Sequence, residues 1–220
     1  MDIKDIKGVI FDMDGVVLDS MPIWKDFASL YIKSKGLEPE DGINDIVFSM
    51  SMEQGIKYFR ERYGIKQTEG EIMMEIQDVL RDFYYNEVEA KPGAVELMKK
   101  LREAGIRISG ATSSPRDHIE HALERNGLLD YMEKLYTSSE VGSSKHDPEI
   151  YNMAAAFMGT APEETLVFED TLYALKTAKE AGYHTVGVFD PLGESDQEGL
   201  KEAAEIYITS PADFLKYFQE

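Results

Sequence analysis

Two carboxylates stand directly after an apolar run near the start of the chain, in the stretch GVIFDMDGVVLDS (8–20). Asp12 ends the run, and Asp14 follows two residues later, just before Gly15. Asp and Gly are common turn residues, so a simple turn is one interpretation. A reaction site is the other, because one carboxylate can attack a substrate while its neighbour transfers protons. The motifs further along the chain distinguish the two.

Further polar side chains follow later apolar runs. They are Thr112, Ser113 and Ser114 after IRISGA, Lys145 within GSSKHDPEIY, and Glu169 and Asp170 at the end of TLVFED. Ligands of open α/β sheets bind beyond the carboxyl ends of the strands, so we expect all these groups at one edge with Asp12 and Asp14. Each alone is explained as well by a helix cap or a solvated charge. Together, and in this order, they predict a site.

Six short, nearly continuous apolar runs are typical of strands that are buried on both faces of a parallel sheet. They are GVIFD (8–12), IRISGAT (106–112), KLYTS (134–138), TLVFED (165–170), HTVGVFD (184–190) and EIYITS (205–210). Helical spacing separates them, as in Ala94, Leu97, Met98 and Leu101 or in Ile150, Ala154 and Phe157. The alternation predicts an α/β fold with a Rossmann-like, doubly wound parallel sheet.

One interval breaks the alternation. Residues 13–105 separate the first two runs, which is far more than a single crossover helix requires. Apolar residues there recur at helical spacing, for example Ile72 and Ile76, and Pro92 suits the first turn of a new helix. The sequence therefore predicts a catalytic core of residues 1–17 and 91–220, with an inserted all-helical cap domain at 18–90.

The predicted cluster has a specific chemistry. Neighbouring carboxylates repel unless they share a proton or a cation, and oxygen ligands favour a hard cation such as Mg²⁺. Asp12, at the rigid strand end, is the candidate nucleophile on phosphorus, and Asp14 is the candidate acid and base. Thr112, the backbone N–H of Ser113 and Lys145 would hold the phosphoryl oxygens.

Composition excludes several other classes. The 42 acidic and 23 basic residues give a net charge of -19, which disfavours nucleic acid and anionic membranes as partners. The chain has no cysteine, so disulfides, thiolate metal sites and cysteine nucleophiles are excluded. Neither a leader segment nor a membrane-length apolar run is evident, so we expect a cytoplasmic protein. The sequence does not determine the oligomeric state, and a monomer is slightly favoured.

The ordered motifs resemble those of the haloacid dehalogenase superfamily, specifically its Mg²⁺-dependent phosphotransferases with a helical C1-type cap. FDMDGVVLDS resembles the first motif, ATSS the second, SKHDPEIY the third and VFEDT the fourth, and the resemblance covers essentially the whole chain. It implies that Asp12 is nucleophile and metal ligand, that Asp14 adds its backbone carbonyl to Mg²⁺, and that Asp170 with Glu169 completes the metal site. Name-giving dehalogenases lack an acid at the position of Asp14, which argues against that activity.

The closest subgroup contains β-phosphoglucomutase and phosphoglycolate phosphatase, so the resemblance implies a phosphatase that acts on a small phosphorylated metabolite, a sugar phosphate or short organic phosphate. The mutases carry a histidine and an arginine where this chain has Trp24 and Met52. Hydrolysis is therefore favoured over mutase action, and a mutase is the alternative. A receiver-like, non-enzymatic phospho-switch is less favoured, because it needs neither the cap nor Asp14. The EF-hand interpretation of DxDG fails, because Ile23 stands where the closing glutamate belongs.

Several residues of the predicted cap are candidates for substrate specificity, although ordinary packing inside the cap explains Met and aromatic residues at this spacing equally well. They are Ser20, Trp24, Met50, Met52 and Tyr84. His118, His121 and His146 are expected at the surface, because no partner spacing distinguishes them.

Overall fold

A computed structural model describes residues 3–48, 50 and 52–218 of the chain. Contacts divide it into two compact units. The first is formed by Met1–Asp19 together with Val88–Glu220, and the second by Ser20–Glu87.

The first unit is built on a six-stranded, entirely parallel sheet. Its strands are β1 (Gly8–Phe11), β2 (Arg107–Thr112), β3 (Lys134–Thr137), β4 (Thr165–Glu169), β5 (His184–Val188) and β6 (Ile206–Ile208). The spatial order is β3-β2-β1-β4-β5-β6. This is the order of a doubly wound sheet, whose direction of winding reverses beside β1. All six apolar runs are strands, so the predicted α/β fold class is confirmed.

Helices make up the described part of the second unit, as the spacing of its apolar residues predicts. They are α1 (Met21–Ser34), α2 (Ile43–Phe48), α3 (Met52–Tyr63) and α4 (Glu69–Asn86). Thr68 and Glu71 form a capping box that satisfies free N–H groups where α4 begins. Buried aromatic rings join α1 to α3, with the Tyr31 and Phe59 centroids 5.1 Å apart. None of the described helices combines the length and the hydropathy needed to cross a bilayer.

Four of the helices of the first unit bury apolar faces that the sequence predicts, apart from single residues. The α-helices of this unit are α5 (Ala94–Glu103), α6 (Arg116–Arg125), α7 (Ser138–Val141), α8 (Glu149–Met158), α9 (Leu172–Glu180) and α10 (Gln197–Ala203). Leu97 and Leu101 of α5 are fully buried, as are Ile150 and Ala154 of α8. Phe157 is 45% exposed, so its predicted burial is wrong. The Arg107 guanidinium lies over its ring, 5.7 Å from the centroid.

Candidate active site

Asp12 extends β1 by one residue, because its N–H donates to Phe168 O at 3.0 Å. The carboxylate is 8% exposed, and its Oδ1 accepts from Met13 N at 2.7 Å. Lys145 Nζ lies 2.7 Å from the same oxygen. Two donors on one oxygen fix the orientation of the Asp12 side chain at the carboxyl edge of the sheet.

Lys145 also contacts the carboxylate at the end of β4. Its Nζ lies 2.8 Å from Glu169 Oε1, and both side chains are buried. Tyr151, in the first turn of α8, donates its hydroxyl to that same oxygen at 2.7 Å. Burial alone would lower the pKa of Lys145, but the charges of Asp12 and Glu169 raise it above its usual value. The lysine is therefore a permanent cation between two acids.

Asp12, Glu169 and Asp170 each place one carboxylate oxygen within 4.8 Å of the others. Burial raises the pKa of both Asp12 and Asp170, and the negative charge of Glu169 is the second cause. The pKa of Asp170 is raised to about 8. Within the described chain, Glu169 Oε2 is buried and has no hydrogen-bond partner. One ammonium does not balance three close carboxylates, so this set of oxygen donors fits a hard divalent cation. The residues present could therefore hold the metal that the motifs imply.

Asp170 is closely flanked by backbone. A Cβ at Gly15, where φ is +71°, would lie 2.3 Å from Asp170 Oδ2, and one at Gly193 would lie 3.0 Å from it. Only residues without a side chain leave room for the carboxylate there, and the positive φ at Gly15 also favours glycine. Gly15 therefore turns the chain after Asp14 and at the same time makes space for Asp170.

The environment of Asp14 differs from that of Asp12. Its carboxylate is partly exposed and accepts a hydrogen bond from Ser114 Oγ at 2.6 Å, so it is directed to the loop after β2. This carboxylate does not belong to the cluster of Asp12, Glu169 and Asp170. Two carboxylates in such different surroundings are suited to two different tasks.

The loop after β2 holds the predicted phosphate-binding hydroxyls. Thr112 is fully buried at the carboxyl end of the strand, and its Oγ1 accepts from Ser114 N at 3.0 Å. Ser113 is exposed, with its Oγ 3.2 Å from Ser138 Oγ. The Thr112 side chain is therefore buried at the carboxyl edge of the sheet, whereas the Ser113 side chain is exposed to solvent.

Three features at this edge were not predicted from the sequence. Tyr151 belongs to the quoted third motif but was given no role, and Ser114 was expected at this edge without a hydrogen bond to Asp14 being assigned to it. The third is a buried ion pair, in which Lys91 Nζ lies 2.7 Å from Asp190 Oδ2. These two residues are distant in the sequence and no spacing signals their contact, yet the charge of Asp190 contributes to the raised pKa of Asp170.

The histidine prediction is wrong at one position. His118 is only 3% exposed, because it lies one helical turn before Ala122 on the buried face of α6. His121 and His146 are exposed, as predicted. The His146 ring stacks on Tyr173, with the centroids 4.3 Å apart.

The candidate specificity residues differ in exposure. Ser20 and Tyr84 are fully buried, whereas Met50 and Trp24 are partly exposed, and the Trp24 ring meets Phe27 edge-on at 6.3 Å. Met52 is the first residue of α3, and its side chain lies outside the described residues.

The doubly wound sheet, with acids and a buried lysine at its carboxyl edge, is suited to phosphoryl transfer. A family model described as haloacid dehalogenase-like hydrolase matches residues 9–188. The chain belongs to this family.

Curated relatives are named as phosphatases. A phosphorylated carbohydrates phosphatase of Thermotoga maritima is 26% identical over 216 residues, which is 98% of this chain and 99% of the relative. Hexitol phosphatase A of Escherichia coli is 29% identical, with 84% of each chain covered. These relatives confirm the prediction of an enzyme of the phosphoric monoester hydrolase class.

Solved structures share the fold over nearly the full length. A Thermotoga maritima protein whose structure was solved as a candidate β-phosphoglucomutase superposes with a TM-score of 0.85 at 25% identity, covering 97% of this chain and 99% of the other. CbbY from Rhodobacter sphaeroides, crystallised with phosphate, gives a TM-score of 0.75 at 18% identity, covering 95% and 96%.

Proposed function

We propose that this protein is a Mg²⁺-dependent phosphatase that hydrolyses a small phosphorylated metabolite through an aspartyl-phosphate on Asp12. The observation that carries the proposal is the position of Lys145, which is buried and within 2.8 Å of both Asp12 and Glu169. A permanent cation beside a fixed carboxylate is the arrangement needed to receive a phosphoryl group.

In the first step, an oxygen of Asp12 attacks phosphorus and the bond from phosphorus to the leaving oxygen breaks. The described contacts of this carboxylate fall on Oδ1, so we assign the attack to Oδ2. Asp14 donates its proton to the leaving oxygen, which departs as an alcohol. Ser114 supports this role, because its hydrogen bond directs the Asp14 carboxylate.

In the second step, Asp14 removes a proton from water, and the water oxygen attacks the phosphorus of the aspartyl-phosphate. The bond from phosphorus to the Asp12 oxygen breaks, inorganic phosphate leaves and both carboxylates regain their starting states. The same residue acts first as acid and then as base, so it loses and regains one proton in each cycle.

Three groups would bind the phosphoryl oxygens during transfer, namely Lys145, the Thr112 hydroxyl and the backbone N–H of Ser113. Asp12, Asp170, Glu169 and the backbone carbonyl of Asp14 would hold Mg²⁺. When bound, this cation neutralises charge on the phosphoryl oxygens and on the carboxylate cluster.

We infer that the substrate is a phosphorylated carbohydrate, a sugar or sugar-alcohol phosphate. The names of the Thermotoga maritima and Escherichia coli relatives support this class, and the former matches this chain over nearly its full length. Trp24, which is partly exposed in the helical unit, stays a proposed residue of substrate specificity.

The test is phosphate release from sugar phosphates, sugar-alcohol phosphates, short organic phosphates and nucleotides, with Mg²⁺ and with EDTA. We expect turnover of phosphorylated carbohydrates that EDTA abolishes, and a loss of about 10⁴-fold or more in Asp12→Asn. Equal rates in wild type and Asp12→Asn across the panel would exclude the proposed hydrolase.

A phosphomutase is the second candidate, and the structural likeness to a candidate β-phosphoglucomutase favours it. Supplying β-glucose 1-phosphate with an activating bisphosphate and measuring glucose 6-phosphate tests it. Mutase product at a rate above phosphate release would replace the hydrolase assignment.

A further inference from the structure

Glu169 Oε1 accepts hydrogen bonds from two side chains, one in the loop before α8 and one in its first turn. Lys145 Nζ comes from the loop before α8 and lies 2.8 Å away, and Tyr151 Oη comes from the first turn of α8 and lies 2.7 Å away. The carboxylate cannot rotate without losing both bonds. Its other oxygen, Oε2, is buried and makes no hydrogen bond within the part of the chain that the structure describes. The two oxygens therefore differ in their surroundings, since Oε1 accepts both hydrogen bonds and Oε2 is left for another ligand.

The two donors differ in how firmly they are held. Tyr151 is fully buried in the apolar cluster between α8 and the sheet, and its ring lies 6.2 Å from that of Tyr183. The phenol hydroxyl of tyrosine is protonated at neutral pH, so Tyr151 donates to Glu169 Oε1 throughout. Tyr151 is thus a rigid and permanent donor.

Lys145 divides its three N–H donors among several acceptors and does not serve Glu169 alone. Its ammonium also contacts Asp12, and in the proposed reaction it binds the phosphoryl oxygens. Tyr151, by contrast, donates its hydroxyl to Glu169 Oε1 and has no contact with Asp12 in the proposed reaction. A donor outside the reaction is what keeps a metal ligand oriented while its neighbours change partners.

We propose that Tyr151 is a positioning residue that holds Glu169 so that Oε1 anchors Lys145 while Oε2 faces the divalent cation. This inference rests on the proposed function and on the cation that the function requires. It assigns Tyr151 no contact with the substrate.

The test compares Tyr151→Phe with Tyr183→Phe. Both substitutions remove one phenol hydroxyl from the same apolar cluster, but Tyr183 Oη donates to Asn152 Oδ1 at 2.9 Å rather than to the site. Binding of Mn²⁺ to the substrate-free protein is measured by electron paramagnetic resonance, and the activity is measured as a function of Mg²⁺ concentration.

We expect Tyr151→Phe to bind Mn²⁺ about tenfold more weakly and to need correspondingly more Mg²⁺ for half-maximal activity, with kcat largely recovered at saturating Mg²⁺. Tyr183→Phe should match wild type in both measurements. Unchanged Mn²⁺ affinity in Tyr151→Phe would overturn the positioning role of Tyr151 but not the proposed function. Failure of wild type to bind Mn²⁺ would overturn this role together with the proposed function.

A second measurement does not depend on the folding of Tyr151→Phe. With 3-fluorotyrosine incorporated only at position 151, the ring and its hydroxyl are retained, and the fluorine resonance reports the surroundings of the hydroxyl. Saturation with Mg²⁺ should shift this resonance, because Glu169 would then share its charge with the cation. A resonance that does not move would overturn the proposal.

Discussion

Lys91 Nζ lies 2.7 Å from Asp190 Oδ2, and the two side chains are only 7% and 2% exposed. The ammonium also donates to Phe189 O at 3.2 Å, and Lys91 N donates to Val17 O at 2.9 Å. The pair thus joins the segment before α5 to the loop after β5, whose Gly193 borders Asp170. A buried pair of this kind is destabilising when only one partner is removed, because the other charge stays buried and unpaired.

Lys91→Met should therefore lower the free energy of unfolding by about 3 kcal/mol or more, measured by urea denaturation. Lys91→Met combined with Asp190→Asn should recover most of the loss, because no unpaired charge remains. Lys100→Met is the matched control, since Lys100 pairs with Glu103 at an exposed position of α5, and it should change stability by less than about 1 kcal/mol. A double variant no more stable than Lys91→Met would contradict this account.

Asp14→Asn should slow hydrolysis of alkyl phosphates by about 10²- to 10³-fold, because an alkoxide leaving group needs the proton of Asp14. In the first step, the loss should be much smaller for p-nitrophenyl phosphate, whose phenolate leaves without protonation. The second step, in which Asp14 is the base, should slow equally for both substrates. The pre-steady-state release of the leaving group from the two substrates measures the difference. Ser114→Ala, which removes the 2.6 Å hydrogen bond to Asp14, should show the same pattern with a smaller loss. Equal losses on both substrates in the first step would assign Asp14 a role other than acid.

Gly15→Ala should weaken Mn²⁺ binding as well as stability, because the new Cβ would lie 2.3 Å from Asp170 Oδ2 and displace that carboxylate. Gly127→Ala is the matched control in the same unit. Its φ of +68° imposes similar backbone strain, of about 1–2 kcal/mol, but no atom lies within 4 Å of the added Cβ. Calorimetry of Mn²⁺ binding should separate the two variants, and equal affinities would show that Asp170 does not hold the cation.

The affinity for Mg²⁺ should rise with pH from about pH 6.5 to about pH 9. In the cation-free protein, burial and the charge of Glu169 raise the pKa of Asp170 to about 8, so its carboxyl carries a proton at neutral pH. A binding cation must displace that proton and the proton that the raised pKa of Asp12 favours, so the cost in affinity falls as the pH rises. Titration calorimetry in buffers of different ionisation enthalpy should detect more proton release at about pH 6.5 than at about pH 9. Affinity that is constant over this range would contradict the prediction.

The fold was predictable because its strands are nearly continuous apolar runs. β1 and β4 are fully buried, and such runs have few alternatives to the centre of a parallel sheet. The positions of Asp12 and Asp170 followed from the same argument, since parallel strands carry the residues after their carboxyl ends to one edge. Phe157 and His118 were misplaced because periodicity finds the buried face of a helix but not where that face ends.

Contacts between distant segments were not predictable. Tyr151 reaches Glu169 only because α8 lies across β1 and β2 with its first turn at the carboxyl edge, and no periodicity in α8 distinguishes Tyr151 from an ordinary core residue. Lys91 and Asp190 each resemble a solvated charge in the sequence, and the packing of two separate loops is what buries them together.

The central position of β1 has a consequence for how the chain folds. Gly8 pairs with Arg107 on one side and with Thr165 on the other. The first strand therefore cannot form its sheet hydrogen bonds until β2 and β4, which are synthesised much later, are available. Contacts of such long sequence separation form slowly and leave the strand edges open in the meantime. The helical unit, by contrast, is one continuous segment that can form its own contacts early. We therefore expect synthesis to yield first a folded insertion flanked by unfolded chain, and the catalytic edge to assemble only after β4 has emerged.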